Sequence, residues 1–383
     1  IYTVSRKQPW VTALAVRDGK ILARGNAHDM DELIGAHTKV VDLGGKMVMP
    51  GIVDVHNHIL LGGLSELFEL RFPGTLTRTE ILDLVSAAAA KTEEGQWIIG
   101  TQWGADLNGI LNSDESLALL DAASGGNPVL LRDETFHNRW VNSAAMAVAG
   151  ITQDAADPEQ GAFGRDPKSG RLTGLMIEAA SGIVERAALE QGAVSAEMNI
   201  AAVKKAINTL SAFGVTAFMD AASMQNVMQA LAGLDDEGGL TAWAVCAMPA
   251  VEPTFLFGIA GDALFAEREQ YRRDHVHPDF VKFFLDGVPG AKTAAFHESY
   301  LEDPIHGCCF RGETMMTYPD LIRWLGKCEK LGLAVKIHCA GDAAVSQALD
   351  AVDVVRSFNG PTDLIHHIAH ASYIRPDDIE RFA

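Results

Sequence analysis

Pro50-Gly51-Ile52-Val53-Asp54-Val55-His56-Asn57-His58 reads as a strand that leaves a Pro-Gly turn and ends on two imidazoles. Side chains at i and i+2 of a strand share a face, so His56 and His58 can grip one cation while Asn57 points elsewhere. Neutral imidazole suits zinc and its neighbours in the transition series, and a strand fixes two ligands more rigidly than a loop. Paired histidines on strands also occur as ordinary polar surface. Here the run Lys46-Met47-Val48-Met49 before the turn reads as chain entering a core, which predicts a buried strand and favours ligands.

Upstream of this stretch, residues 1 to about 50 read as a small β-domain. Val11 to Val16, a turn at Arg17-Asp18-Gly19-Lys20, and Ile21 to Ala23 form a strand-turn-strand signal, and Val40 to Gly45 continues it. Downstream, Glu80 to Ala90 is helix-like, Trp97 to Gly100 and Val129 to Leu131 are strand-like, and Asp166 to Gly170 is a turn. From the helical Met198 to Ile207 onward the order is regular, with strands at 215–220, 241–246, 280–284, 334–338 and 364–370 and helices between several of them. Repeated β-then-α units imply an α/β fold with a parallel sheet, closed as a barrel or open. His56, His58, Lys282, His338 and His370 all fall at or near carboxyl ends of these strands, and a barrel gathers such ends at one mouth.

The 383 residues, 48% hydrophobic, can bury a large core plus a smaller unit. A formal charge of -19 disfavours nucleic acid and anionic membrane as partners, and no apolar run reaches membrane-spanning length. Five cysteines without Cys-x-x-Cys spacing fit reduced thiols in a cytoplasmic protein. Nothing in the sequence argues against a homo-oligomer. The first residue is Ile1 rather than methionine, which reads as a fragment or a processed product.

With its motifs in order, the chain resembles the amidohydrolase superfamily of metal-dependent hydrolases, in the branch that includes N-substituted formamide deformylase. The resemblance rests on residues 50–58, Gly214-Val215-Thr216, Val281 to Gly287, Ile337-His338-Cys339-Ala340-Gly341-Asp342-Ala343-Ala344, and Ile368-Ala369-His370-Ala371 followed by 374–382. It implies a TIM-like (β/α) barrel over 51–383, apparently truncated at its C-terminus, with a small N-terminal β-sandwich portion at 1–50 and an inserted subdomain at about 60–200.

The resemblance also implies a binuclear centre of two divalent ions, zinc by expectation. His56 and His58 would hold the more buried ion, His338 and His370 the second, and Lys282, carboxylated by carbon dioxide, would bridge them as a carbamate. The other reading of Lys282 is a barrel lysine paired with a carboxylate such as Asp286, and a third is a Schiff-base amine. Among His366, His367 and His370 the family pattern selects His370, which the residues alone do not separate from His367. Ala369 stands where the family usually carries an acidic residue. His275, His277, His297 and His306 read as exposed.

The implied reaction is metal-assisted hydrolysis of a non-peptide carbon–nitrogen bond in a small molecule, with metal-activated hydroxide as nucleophile. The aspartate that shuttles the proton in this superfamily, at the end of the last barrel strand, matches no residue of the chain. Asp220 ends an early strand and reads as structural. Trp103 and His137 are candidates for lining the substrate pocket, with core packing and a structural hydrogen bond as their other readings. A metal-binding sensor without catalysis and a Schiff-base lyase built on Lys282 are the alternative classes.

Overall fold

Asp18 and Gly19 both take positive φ, 51° and 72°, and this lets β1 (Ala13–Arg17) and β2 (Lys20–Gly25) join through a two-residue turn. The fold is known from a computed structural model, which describes residues 1–159, 161–253, 257–302 and 306–382. The expected strand at Val40 to Gly45 does not form: this stretch is exposed, and the Asp42 carboxylate accepts the Gly44 amide in a local turn instead. Among the described residues the first fifty therefore hold one two-stranded sheet and an isolated bridge between Tyr2 and Trp10, where a sandwich was expected.

The remaining strands are β3 (Ile52–Asn57), β4 (Leu70–Arg71), β5 (Ile98–Trp103), β6 (Val129–Asp133), β7 (Asn138–Val141), β8 (Gly161–Arg165), β9 (Leu172–Glu178), β10 (Val215–Asp220), β11 (Trp243–Pro249), β12 (Val276–Phe284), β13 (Ala334–Cys339) and β14 (His367–His370). They divide between two six-stranded sheets. One runs β3-β10-β11-β12-β13-β14 with every neighbouring pair parallel, so all its carboxyl ends lie at one face. This is an α/β architecture compatible with a TIM-like barrel. The second sheet, in the order β4-β5-β6-β7-β9-β8, is mixed, and it lies wholly between β3 and β10 in the sequence.

Helices cover the parallel sheet because their apolar faces have nowhere else to go. Val227, Leu231 and Leu234 of Gln225–Asp236, Leu321 and Leu325 of Tyr318–Lys330, and Val345 and Ala348 of Asp342–Asn359 pack with Phe218, Val281 and Phe283 in one core. The second sheet has cores of its own, around Trp103, Leu131 and Trp140 on one side and Leu130, Val141 and Met176 on the other. Its helix Arg78–Ala89 starts on a Thr77–Glu80 capping box and buries Ile81 and Val85, one turn apart.

The strand that carries His56 is less buried than its sequence suggests. β3 bonds only to β10 among the described residues, and Ile52, Val53 and Val55 are exposed. The run Lys46 to Met49 before it has no regular structure and is mostly exposed.

Candidate functional site

The carboxyl ends of β3, β12, β13 and β14 deliver the site. His56 lies on β3, and His58, just beyond that strand, opens the helix Ile59–Phe68. Lys282 lies on β12, beside the β13 strand that carries His338, and His370 is the last residue of β14. These five side chains line one cavity of about 1080 Å3. The ring centroids of His56 and His58 are 5.5 Å apart, those of His56 and His370 4.7 Å, and those of His338 and His370 4.5 Å.

Each of the four imidazoles is neutral at ordinary pH. Burial, followed by the positive charge of Lys282, holds His56 down at about 2 and His58 at about 3. Burial with Lys282 likewise holds His370 at about 4, and burial with the neighbouring His370 takes His338 well below the usual range. Neutral imidazole is the form that coordinates a metal.

Lys282 is almost fully buried, and among the described residues its Nζ finds no hydrogen-bond partner. Burial, and then the charge of Lys336, brings its ammonium down to about 7. The carboxylate expected to pair with it is engaged elsewhere: Asp286 accepts the backbone amides of Ala340, Gly341 and Ala295, and so ties the loop after β12 to the loop after β13. His338 Nε2 meets the carbonyl oxygen of Gly287 at 3.0 Å in that same loop.

Among the described residues no cluster of three or more His, Cys, Asp or Glu side chains is already drawn together tightly enough to hold an ion; the imidazoles pack ring against ring. The donor chemistry still fits divalent metals. Four neutral imidazoles and a buried amine with unmet bonding capacity share one cavity, and imidazole nitrogen is the ligand type that zinc and its neighbours prefer.

The model of the amidohydrolase family matches residues 39–383, a span that contains every residue of this cluster. The chain belongs to the amidohydrolase family. Protein LONG AFTER FAR-RED 3 of Arabidopsis thaliana is 28% identical over 392 residues, covering all of this chain and 64% of the plant protein. The N-substituted formamide deformylase of Arthrobacter pascens is 25% identical over 395 residues, again across the whole chain and 69% of the relative. An uncharacterized metal-dependent hydrolase from Pyrococcus horikoshii OT3 shares the fold, with a TM-score of 0.69 and 24% identity over 97% of this chain and 68% of that one. The chain thus spans less than two thirds of the plant relative's length.

Within this amidohydrolase-family chain the geometry sorts the histidines of the last strand. His366 accepts the Val335 amide and meets Glu329, His367 packs on Phe280, and only His370 reaches the cluster. Asp220 accepts the Ile59 amide and the Ser223 hydroxyl, a structural role. His137 lines the cavity, its ring centroid 6.1 Å from that of His338. Trp103 does not line it: the side chain is wholly buried in the core of the second sheet, and its indole N–H donates to the Leu131 carbonyl at 3.0 Å. Its neighbours Thr101 and Gln102 face the cavity instead. Sequence reasoning missed Glu178 and Thr293, which hold His137 in place. No local pattern marks the pair: Glu178 ends the strand Leu172–Glu178, and Thr293 lies in a loop far from it in the sequence.

Proposed function

We propose that this chain is a metal-dependent hydrolase of a non-peptide carbon–nitrogen bond, in an amide, a formamide or a related small molecule. The observation that carries the reading is the convergence of four neutral imidazoles and one buried, unbonded lysine on a single cavity. Family membership and the name of the Arthrobacter pascens relative support it.

His56 and His58 would hold one divalent ion and His338 and His370 a second. Zinc is one of the ions that imidazole ligands suit, and it is the one proposed for both sites. Lys282 would join the two sites as a carbamate. An amine brought to about 7 is substantially unprotonated near neutral pH and can add to carbon dioxide, and the product is an anionic ligand with two oxygens. Bound there, such ions supply Lewis acidity, polarising a carbonyl and making water acidic enough to act as nucleophile at neutral pH. The protein's own part is to keep the imidazoles neutral, to hold the lysine tip over the Phe284 ring, 4.6 Å from its centroid, rather than against a carboxylate, and to offer apolar wall, including Phe72 and Phe136, to the substrate's substituent.

Metal analysis of the purified protein, combined with hydrolysis assays on N-formyl and N-acyl amines, tests the proposal. Close to two bound ions and turnover that disappears with chelation and returns with zinc are expected. Carbon-13 bicarbonate should add a carbamate resonance that Lys282→Ala abolishes. A protein that binds no metal, or holds it without turning over any member of the panel, overturns the hydrolase reading. The depressed ammonium of Lys282 also favours a second reading, a Schiff-base amine. Borohydride trapping of a carbonyl compound on Lys282 in metal-free protein would establish that one.

A further inference from the structure

His137 reaches the cavity from the inserted sheet, and its ring is anchored. Its Nδ1 lies 2.9 Å and 3.0 Å from the two carboxylate oxygens of Glu178. Glu178 in turn accepts the Thr293 hydroxyl at 2.5 Å, and that hydroxyl oxygen accepts the Val288 amide at 2.9 Å. The main chain is tied as well: His137 N–H donates to Asp133, and its carbonyl accepts from Ser181 and from the Glu178 amide.

Glu178 is buried and held at a positive φ of 48°, a conformation that non-glycine residues adopt only where the surroundings impose it. Gly287 has to be small, because a Cβ there would lie 2.1 Å from Thr293 Oγ1 and 2.8 Å from Glu178 Oε1. The segment 287–293 therefore touches both Glu178 and, through the Gly287 carbonyl, His338. A strained backbone, a buried carboxylate and a hydroxyl all serve to aim one imidazole.

With Glu178 as the acceptor, the His137 Nδ1 is the donor, and in the neutral ring Nε2 is left as an acceptor for whatever enters the cavity. We infer that His137, positioned by Glu178 and Thr293, uses Nε2 to accept the N–H of the substrate's scissile group, so that the site selects secondary amides or formamides bearing one apolar N-substituent over N,N-disubstituted ones. This inference rests on the hydrolase reading for the identity of the bond. The aromatic wall of the cavity accounts for the apolar substituent, and the clamp accounts for the N–H. Glu178 and Thr293 are positioning residues.

The test uses nitrogen-15 histidine labelling of the full chain, with N-butylformamide and N-butyl-N-methylformamide as probes. The Nδ1–H form of His137 should be seen before any probe is added. N-butylformamide should then shift the Nε2 resonance, and its N-methylated counterpart should leave it in place. In the metal-loaded protein kcat/KM should favour the secondary formamide by at least about tenfold, in line with one hydrogen bond. Thr293→Val should raise KM for it with little change in kcat, and Thr293→Ser should restore KM. Equal shifts with both probes, no shift with either, or loss of bound metal in His137→Ala overturns the inference. An Nε2 shift confined to the secondary formamide in a protein that neither binds metal nor hydrolyses any amide leaves the clamp standing and defeats the hydrolase reading.

Discussion

His338 and His370, on the adjacent strands β13 and β14, bring their ring centroids within 4.5 Å of each other. The strand register pairs His338 with Ala369, so His370 reaches across from the next position along, where its backbone turns to a φ of 69°. That turn ends the ladder and swings the last imidazole toward His56 as well, at 4.7 Å.

Removing either imidazole of this pair should therefore cost metal and not fold. His338→Asn and His370→Asn are each expected to weaken binding of one ion by at least about tenfold, with the circular dichroism spectrum unchanged. His366→Asn is the control. It breaks a buried contact with Glu329 and the Val335 amide, so it should lower thermal stability while bound metal stays constant. Equal metal content in all three variants after dialysis would disprove the assignment.

Lys282 presents stability and function in opposition. A buried amine with no hydrogen-bond partner among the described residues is a burden on the fold, on the order of 1–3 kcal/mol. Lys282→Met keeps the length of the side chain and removes the polar tip. Its urea midpoint should stay level or rise, while bound metal and hydrolysis collapse. A marked fall in the midpoint would mean that the contact of the amine with the Phe284 ring, 4.6 Å from its centroid, outweighs this burden.

The clustering of these five side chains at one cavity could be read from sequence because it follows strand order: His56 ends β3 with His58 one residue beyond it, and βα order places Lys282, His338 and His370 at the same face. The residues alone do not separate His370 from His367, since both fall on one short strand; the family pattern selects His370, and the packing agrees, with only His370 against His56 and His338. Trp103 misled for a similar reason. It lies on a strand whose neighbours Thr101 and Gln102 do face the cavity, and only the partner of its indole N–H reveals which way the ring points. Glu178 and Thr293 were out of reach because their pairing joins the inserted sheet to the loop after β12, a contact between distant parts of the chain that no local pattern encodes. The exposure of β3 was hidden too, because burial depends on how many neighbours a strand has and not on its own residues.

Trp103→Phe separates core packing from substrate contact. The variant loses the hydrogen bond to the Leu131 carbonyl and leaves that acceptor without its donor, at a cost of about 1 kcal/mol. The melting temperature is expected to fall by a few degrees, with kcat and KM for any accepted amide unchanged. A selective rise in KM without a stability loss would return Trp103 to the cavity wall.

Acid stability should be governed in part by Glu185, buried in the inserted unit between two guanidinium groups. Arg132 donates to it through Nε at 2.6 Å and Nη2 at 3.1 Å, Arg139 donates through Nε at 2.6 Å, and Arg132 also reaches Glu69 at 2.5 Å. Burial alone would raise the Glu185 carboxyl, but the charges and hydrogen bonds of Arg132 and Arg139 outweigh it and bring the value from 4.5 down to about 2. Between those two values the unfolded chain binds the extra proton, so this contribution is complete above about pH 4.5 and is lost as pH falls toward 2. Its size is about 3 kcal/mol. Urea unfolding followed from pH 6 to pH 3 should show the midpoint falling with acidity. Glu185→Gln, which leaves two buried guanidinium groups without that counter-charge, should lower the midpoint at pH 6 by roughly 3–5 kcal/mol equivalent and flatten the pH dependence below 4.5. If the variant and the parent lose stability in parallel over that range, the acid sensitivity comes from other carboxylates and the Arg132–Glu185–Arg139 network is not its source.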